Sequence, residues 1–386
     1  MRKREKNVRN IVFGMAMLPD GRIEETTVVW EGGRILEILA GNRYKREARQ
    51  LPSGWLLSPG LIDLQVNGCL GSEMRTDPST VAKLQQFLPT HGVTAFCPTV
   101  TSIAVESYDG LLEKARTFRE PSGATVIGFH LEGPFLNEKF RGGHPAEYVR
   151  APSTVDISTF ARDTDIRLVT LAPELEGSMD AIRQLDSRGI CVGIGHSDAD
   201  VDQVVQAKES GAKWITHLFN AMRQATSRDP GVVGAGLTEP GLAVGVIADG
   251  IHLHPRLLAL AFQCKASSGE LLLVTDGSAA TGLPPGEHKT GERTFISDGV
   301  SARQPDGRLV GSILTLDVAV RNIVKLAGRP VAEALRAATA TPADLAGVGR
   351  KKGRLAAEFD ADVVVLSDAL VVQETWVGGT QTYRAA

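Results

Sequence analysis

No stretch of this 386-residue chain approaches the run of about 20 apolar residues needed to cross a bilayer. The basic opening Met1-Arg-Lys-Arg-Glu-Lys leads into Asn7-Val-Arg-Asn instead of the apolar segment of a secretory signal. A cytoplasmic protein with no membrane partner is therefore expected. Cysteine is scarce: Cys69, Cys97, Cys191 and Cys264 are far apart, and no Cys-x-x-Cys spacing is present to build a zinc ribbon or a redox pair. All four read as small buried residues. Basic excess is also missing. The formal net charge is −3 and no long Lys/Arg block follows the opening, which leaves no broad positive face for a phosphate backbone and argues against nucleic acid as a partner. Nor is there an internal repeat, a low-complexity tract, or a Gly-x-Gly-x-x-Gly turn after an early strand, which disfavours a doubly wound dinucleotide fold.

What the chain does have is an ordinary globular balance, 42% apolar and 23% charged residues, in a length that accommodates about two or three domains. Eight short apolar, β-branched runs recur through its middle: Leu57–Val66, Val93–Val100, Thr125–Leu131, Ile166–Leu171, Ile190–Ile194, Trp214–His217, Leu242–Ile247 and Leu271–Thr275. Segments with helical spacing lie between or after them, including Thr80–His91, Val201–Glu209, Pro255–Ser267 and Thr315–Leu326. Repeated βα units of this kind predict an α/β protein with a TIM-type (β/α)8 barrel over residues 58–350. The ends read differently. Residues 1–57 and 351–386 carry short alternating segments such as Thr26–Glu31, Arg34–Ala40, Ala361–Leu366 and Leu370–Trp376, which predict one small β-sandwich domain built from both termini.

In such a barrel the working groups sit at the carboxyl ends of the strands. The first run ends in Gln65-Val-Asn67-Gly68, the third in His130-Leu-Glu132-Gly-Pro134 and the fifth in Gly195-His196-Ser197-Asp198. The sixth ends in His217-Leu-Phe-Asn220, the seventh in Asp249-Gly-Ile-His252 and the eighth in Asp276-Gly277. Taken singly, each has an ordinary explanation: His196 as a satisfied loop residue, Asp276 as a helix N-cap, Glu132 as the partner of a surface arginine. Together they place imidazoles and carboxylates from distant parts of the chain on the one barrel face where chemistry occurs, able to converge on one metal ion. Two histidines and a carboxylate suit zinc or iron(II), with positions left open for water and substrate.

Seven strings, Pro59-Gly-Leu-Ile-Asp-Leu-Gln-Val-Asn-Gly68, His130-Leu-Glu-Gly-Pro-Phe-Leu-Asn137, Gly193-Ile-Gly-His-Ser-Asp-Ala199, Thr216-His-Leu-Phe-Asn-Ala-Met222, Ala248-Asp-Gly-Ile-His252, Val274-Thr-Asp-Gly277 and Gly311-Ser-Ile-Leu-Thr315, carry a further signal. In order and spacing the chain resembles the amidohydrolase superfamily over nearly its whole length, and within it the branch that deacetylates amino-sugar phosphates. That resemblance implies that Glu132, His196 and His217 hold one divalent metal, Zn2+ ahead of Fe2+, with Asp276 as the proton carrier. His144, on the loop Arg141-Gly-Gly-His144, would donate to the acetyl carbonyl. Gln65 and Asn67 stand where many amidohydrolases carry His-x-His, so Gln65 is expected at the periphery of the metal site and a second ion is expected to be weak or absent. Arg228, in Ser227-Arg-Asp-Pro-Gly231, is implied as the phosphate anchor. Gly143, His144, Asn220, Ala221, Asp249, Gly250, Ile251, His252, Leu309, Val310 and Gly311 are implied as further substrate contacts. The implied reaction is deacetylation of N-acetyl-D-glucosamine 6-phosphate to D-glucosamine 6-phosphate and acetate, with the galacto epimer as the alternative substrate, and the implied assembly is a homodimer. His254 and His288 read as exposed loop residues and His91 as the end of a helix.

Overall fold

The computed structural model describes residues 8–160, 165–290, 293–305, 307 and 309–386. Its centre is a barrel of eight parallel strands: Leu61–Val66, Val93–Thr101, Phe129–Glu132, Ile166–Leu171, Cys191–Ile194, Ala212–Ile215, Ala243–Val246 and Leu271–Leu273. Each lies beside the next. Closure comes from the segments just past the first and eighth strands, where Val66 bridges Gly277 in parallel. There the Asp276 N–H donates to Gln65 O at 2.9 Å and the Asn67 N–H to Gly277 O at 2.7 Å. Helices wrap the outside. In Leu316–Leu326, for example, Leu316, Ala319, Val320 and Ile323 fall on one buried stripe.

The run Leu57–Val66, expected as one strand, divides at Gly60. Leu56–Pro59 joins the terminal sheet and Leu61–Val66 joins the barrel. A side chain at position 60 would put its Cβ 2.0 Å from Thr94 Oγ1, so only glycine lets the chain change sheets this close to the second strand. The third run is interrupted as well: Thr125–Val126 pairs with the second strand before Phe129–Glu132 completes the barrel.

The terminal segments meet in one mixed sheet ordered Thr380–Arg384, Val372–Val377, Val363–Leu366, Leu56–Pro59, Asn10–Met17, Ile23–Glu31, Arg34–Ala40, with Arg49–Gln50 also pairing with Asn10–Met17. The sheet curls until Trp30 and Trp376 meet edge to face at 5.3 Å, closing in the manner of a sandwich over Val12, Val28, Ile35, Leu57, Val363 and Val365.

A small antiparallel sheet, Gly286–Thr290, Arg293–Ser297 and Ala302–Arg303, follows the eighth barrel strand and was not expected from the sequence. It has its own core of Ala280, Phe295, Ala302 and Val310. His288 lies on its first strand and is partly buried, not in an exposed loop. His254 is exposed and caps the helix Pro255–Lys265, and His91 ends the 3-10 turn Leu88–His91, 3.1 Å from Asp317. Cys69, Cys97 and Cys191 are buried as expected, whereas Cys264 is exposed on the outer side of the helix Pro255–Lys265. Among the described residues no helix is long and apolar enough to cross a membrane.

Candidate active site

The chain leaves the fifth, sixth and eighth strands through residues with left-handed backbone: His196 at φ 51°, His217 at φ 32° and Asp276 at φ 48°. Non-glycine residues seldom adopt this conformation, and where they do it commonly marks a functional turn. Here it accompanies three side chains that gather around Glu132, the last residue of the third strand. Glu132 Oε1 lies 2.9 Å from His217 Nε2 and 3.2 Å from His196 Nε2, and the two nitrogens are 3.1 Å apart.

The tautomer of His196 is fixed by its surroundings. Its Nδ1–H donates to the Phe140 carbonyl at 2.8 Å, which leaves Nε2 to present a lone pair toward Glu132 and His217. Three electron-rich atoms thus crowd one point, all within 4.8 Å of one another and buried. One divalent cation satisfies all of them, and the carboxylate-plus-two-imidazole set fits such an ion. The electrostatics agree. Burial opposes ionisation of Glu132, yet the imidazoles of His144, His196 and His217 beside it outweigh that cost and hold the carboxyl well below the usual range. Burial also works against a charge on His217, but the Glu132 carboxylate beside it raises its pKa. The pocket is built around a negative charge that favours a positive one at its centre.

His144 is held the other way round. The Ser102 N–H donates to Nδ1 at 3.1 Å, and Ser102 Oγ is 2.8 Å from the same nitrogen. Nδ1 is therefore the acceptor and Nε2 carries the hydrogen, 3.7 Å from Glu132 Oε2. Burial pushes this imidazole down to about 4, so it is a neutral donor at ordinary pH. Asp276 accepts from Asn67 Nδ2 at 2.7 Å and from Gln65 Nε2 at 3.2 Å, both on Oδ1. Gln65 Nε2 also reaches Glu132 Oε1 at 2.8 Å. Burial, then the charge of Glu132, pushes Asp276 up to about 6.

These groups line one cleft together with Asn67, Glu73, Arg75, Thr99, Thr101, Gly143, Ser278, Gln304, Leu309, Val310 and Gly311. With its open mouth included, its space is about 720 Å³. Of the residues singled out in the sequence, Glu132, His196, His217, Asp276, Gly143, His144, Leu309, Val310 and Gly311 share this lining, and Gln65 touches it through its amide. Asn220, Ala221, Arg228, Asp249, Gly250, Ile251 and His252 lie outside it. Arg228 is exposed. Asp249 turns inward on its own loop, accepting from the Ile251 and His252 N–H groups at 2.8 Å and meeting His252 Nδ1 at 2.6 Å. Ser102, Glu73, Arg75 and Gln304 were not found by sequence reasoning. None of them ends an apolar run: Glu73 lies on the short strand Ser72–Glu73, Glu73, Arg75 and Gln304 reach the cleft only in the folded barrel, and Ser102 is buried behind His144.

A model of the amidohydrolase family matches residues 56–382. The chain is 41% identical over 344 residues to an N-acetylglucosamine-6-phosphate deacetylase of Danio rerio, with 85% of each chain covered. It is 36% identical over 330 residues to an N-acetylgalactosamine-6-phosphate deacetylase of Escherichia coli O157:H7, covering 84% of this chain and 87% of that one. Among solved structures it matches, with a TM-score of 0.88 and 28% identity, a mutant N-acetyl-D-glucosamine-6-phosphate deacetylase of Mycobacterium smegmatis in complex with N-acetyl-D-glucosamine-6-phosphate, covering 97% of this chain and 99% of that one.

Proposed function

The chain belongs to the amidohydrolase family, and from that premise we propose that it hydrolyses the acetamide of N-acetyl-D-glucosamine 6-phosphate to D-glucosamine 6-phosphate and acetate. The observation that carries the reading is the convergence of Glu132, His196 and His217 on one point, in a cleft they share with Asp276. A single divalent cation held by those three side chains would acidify a water and polarise the acetyl carbonyl. We read that ion as Zn2+, with Fe2+ equally compatible with the ligand types.

The chain's own groups then divide the work. Both amide donors fall on Asp276 Oδ1, so Oδ2 takes the proton of the attacking water as the new C–O bond forms. The His144 Nε2–H donates to the carbonyl oxygen as negative charge gathers there, the role of an oxyanion donor. Asp276 returns its proton to the amine nitrogen as the C–N bond breaks, and acetate leaves. The assignment of Arg228 to the phosphate carries with it the expectation of a homodimer, in which one subunit's loop completes the other's cleft.

The test is acetate release from N-acetyl-D-glucosamine 6-phosphate with and without a chelator, alongside metal analysis of the purified protein. Turnover that the chelator abolishes and added Zn2+ restores supports the reading. Undiminished turnover by metal-free protein, or no acetate from the metal-loaded one, overturns it. The galacto epimer fits less well, since relatives bearing the gluco name reach higher identity. A kcat/KM that favours the galacto substrate would reverse that order.

A further inference from the structure

We infer that Glu174, which lies outside the cleft and touches no reacting group, is a positioning residue that sets the orientation of His196. The inference rests on the reading of Glu132, His196 and His217 as the metal site. Glu174 sits on the loop after the fourth strand, Ile166–Leu171. In the barrel that strand lies between the third and the fifth, whose loops carry His144 and His196.

The half-buried carboxylate of Glu174 holds three donors drawn from both neighbouring loops. Oε2 accepts from Ser197 Oγ at 2.7 Å. Oε1 accepts from the Asp198 N–H at 2.6 Å and from Asn137 Nδ2 at 2.8 Å. The bond to Asn137 fixes the sense of that amide, because its other end, Oδ1, accepts from the Lys139 N–H at 3.0 Å and caps the short turn Glu138–Phe140. That turn presents the Phe140 carbonyl that receives the His196 Nδ1–H at 2.8 Å. A second bond, from the Asn137 N–H to His196 O at 2.9 Å, ties the same two loops at the backbone. The chain of contacts thus runs from Glu174 through Asn137 to the one carbonyl that leaves His196 Nε2 free of hydrogen. Outer groups that orient a ligating imidazole in this way commonly change metal affinity about 10- to 100-fold when removed.

The experiment is competition for Zn2+ between a chromophoric chelator and the purified full-length chain, in the parent and in Glu174→Ala, Glu174→Gln, Asn137→Ala and His217→Ala. Glu174→Ala and Asn137→Ala are expected to weaken Zn2+ binding about 10- to 100-fold, with KM at saturating Zn2+ close to the parent's and the His196 Nδ1–H resonance broadened or lost by NMR. Glu174→Gln, which keeps an acceptor for the Asp198 N–H, is expected to recover most of the affinity. Parent-like Zn2+ affinity in Glu174→Ala overturns the inference. Should that variant not fold, Asn137→Ala decides, since it leaves both bonds to the His196 loop in place, and parent-like affinity there overturns it too. His217→Ala separates the two layers of the argument. Loss of Zn2+ there with retention in Glu174→Ala removes only the positioning role, whereas retention in His217→Ala removes the metal site on which that role rests.

Discussion

Asn67 and Asp276 face each other across the seam that closes the barrel, the Asn67 amide donating from Nδ2 to Asp276 Oδ1 at 2.7 Å. Gln65 bridges the same oxygen and Glu132 Oε1. One neutral amide, that of Gln65, therefore stands between two carboxylates that would otherwise repel each other directly, and with Asn67 on the same oxygen the Oδ2 of Asp276 is left for the proposed proton exchange.

Replacing that carboxylate tests the assignment. Asp276→Asn is expected to lower kcat by about 10²- to 10⁴-fold, with the fold retained and KM little changed. In the parent, kcat/KM should fall as acid protonates Asp276. Burial and the charge of Glu132 raise this group to about 6, and a bound cation lowers it, so the acid limb is expected at or below about pH 6. A limb that persists unchanged in residual Asp276→Asn activity would assign it to another group.

As the proposed donor to the carbonyl, His144 would act through a hydrogen and not through a charge. His144→Ala is expected to cost about 10²- to 10³-fold in kcat, the loss seen when an oxyanion donor is removed. Since burial holds the imidazole down to about 4, the ratio of parent to variant rates should be constant across neutral pH. A ratio that rises steeply toward acid would show that the protonated ring does the work.

Arg228 is exposed and outside the single-chain cleft. If it serves the phosphate, Arg228→Ala should raise KM for the phosphorylated substrate and lower kcat/KM by about 10- to 100-fold, the loss of charge-assisted hydrogen bonds. Unphosphorylated N-acetyl-D-glucosamine should be turned over equally slowly by parent and variant. An equal loss on both substrates would remove the phosphate role.

Asp63 predicts a stability signature. It is fully buried, and burial raises it to about 7 despite hydrogen bonds from Thr275 Oγ1 at 2.6 Å and from the Gln65 and Thr275 N–H groups. Between the ordinary carboxyl value near 4 and that raised value, the folded chain keeps a proton that the unfolded chain releases. Stability from this group is therefore present at low pH and falls as pH rises through the window. Asp63→Asn abolishes the term, so its stability relative to the parent should improve by up to about 4 kcal/mol between pH 4 and 8. Denaturant melts at several pH values measure this, and a pH-independent difference would contradict it.

The strand ends were legible because a polar residue that stops an apolar run is conspicuous. Glu132, His196, His217 and Asp276 all announce themselves this way, and the barrel's ordering of the runs brings them together. Other features leave no such trace. Glu174 and Ser102 are ordinary loop residues whose roles come from what lies across a gap in space. The stretch 286–303 is mostly polar, with few apolar residues and no alternating period, so its sheet was missed, and so was the bond from the Val310 N–H to Ala302 O that ties Leu309 to Gly311 to it. The break at Gly60 is invisible in hydrophobicity, since Leu56–Pro59 and Leu61–Val66 are equally buried and only the approach of Thr94 divides them.

The left-handed backbone at His196, His217 and Asp276 sets durability against usefulness at the same three positions. Glycine there would relax about 1 kcal/mol or more of conformational cost apiece while deleting the groups that define the site. A library sorted only for survival of heating would drift toward glycine at these turns and hand back hardy, inert barrels. Any campaign to toughen this protein must therefore draw its gains from elsewhere and hold these three turns fixed.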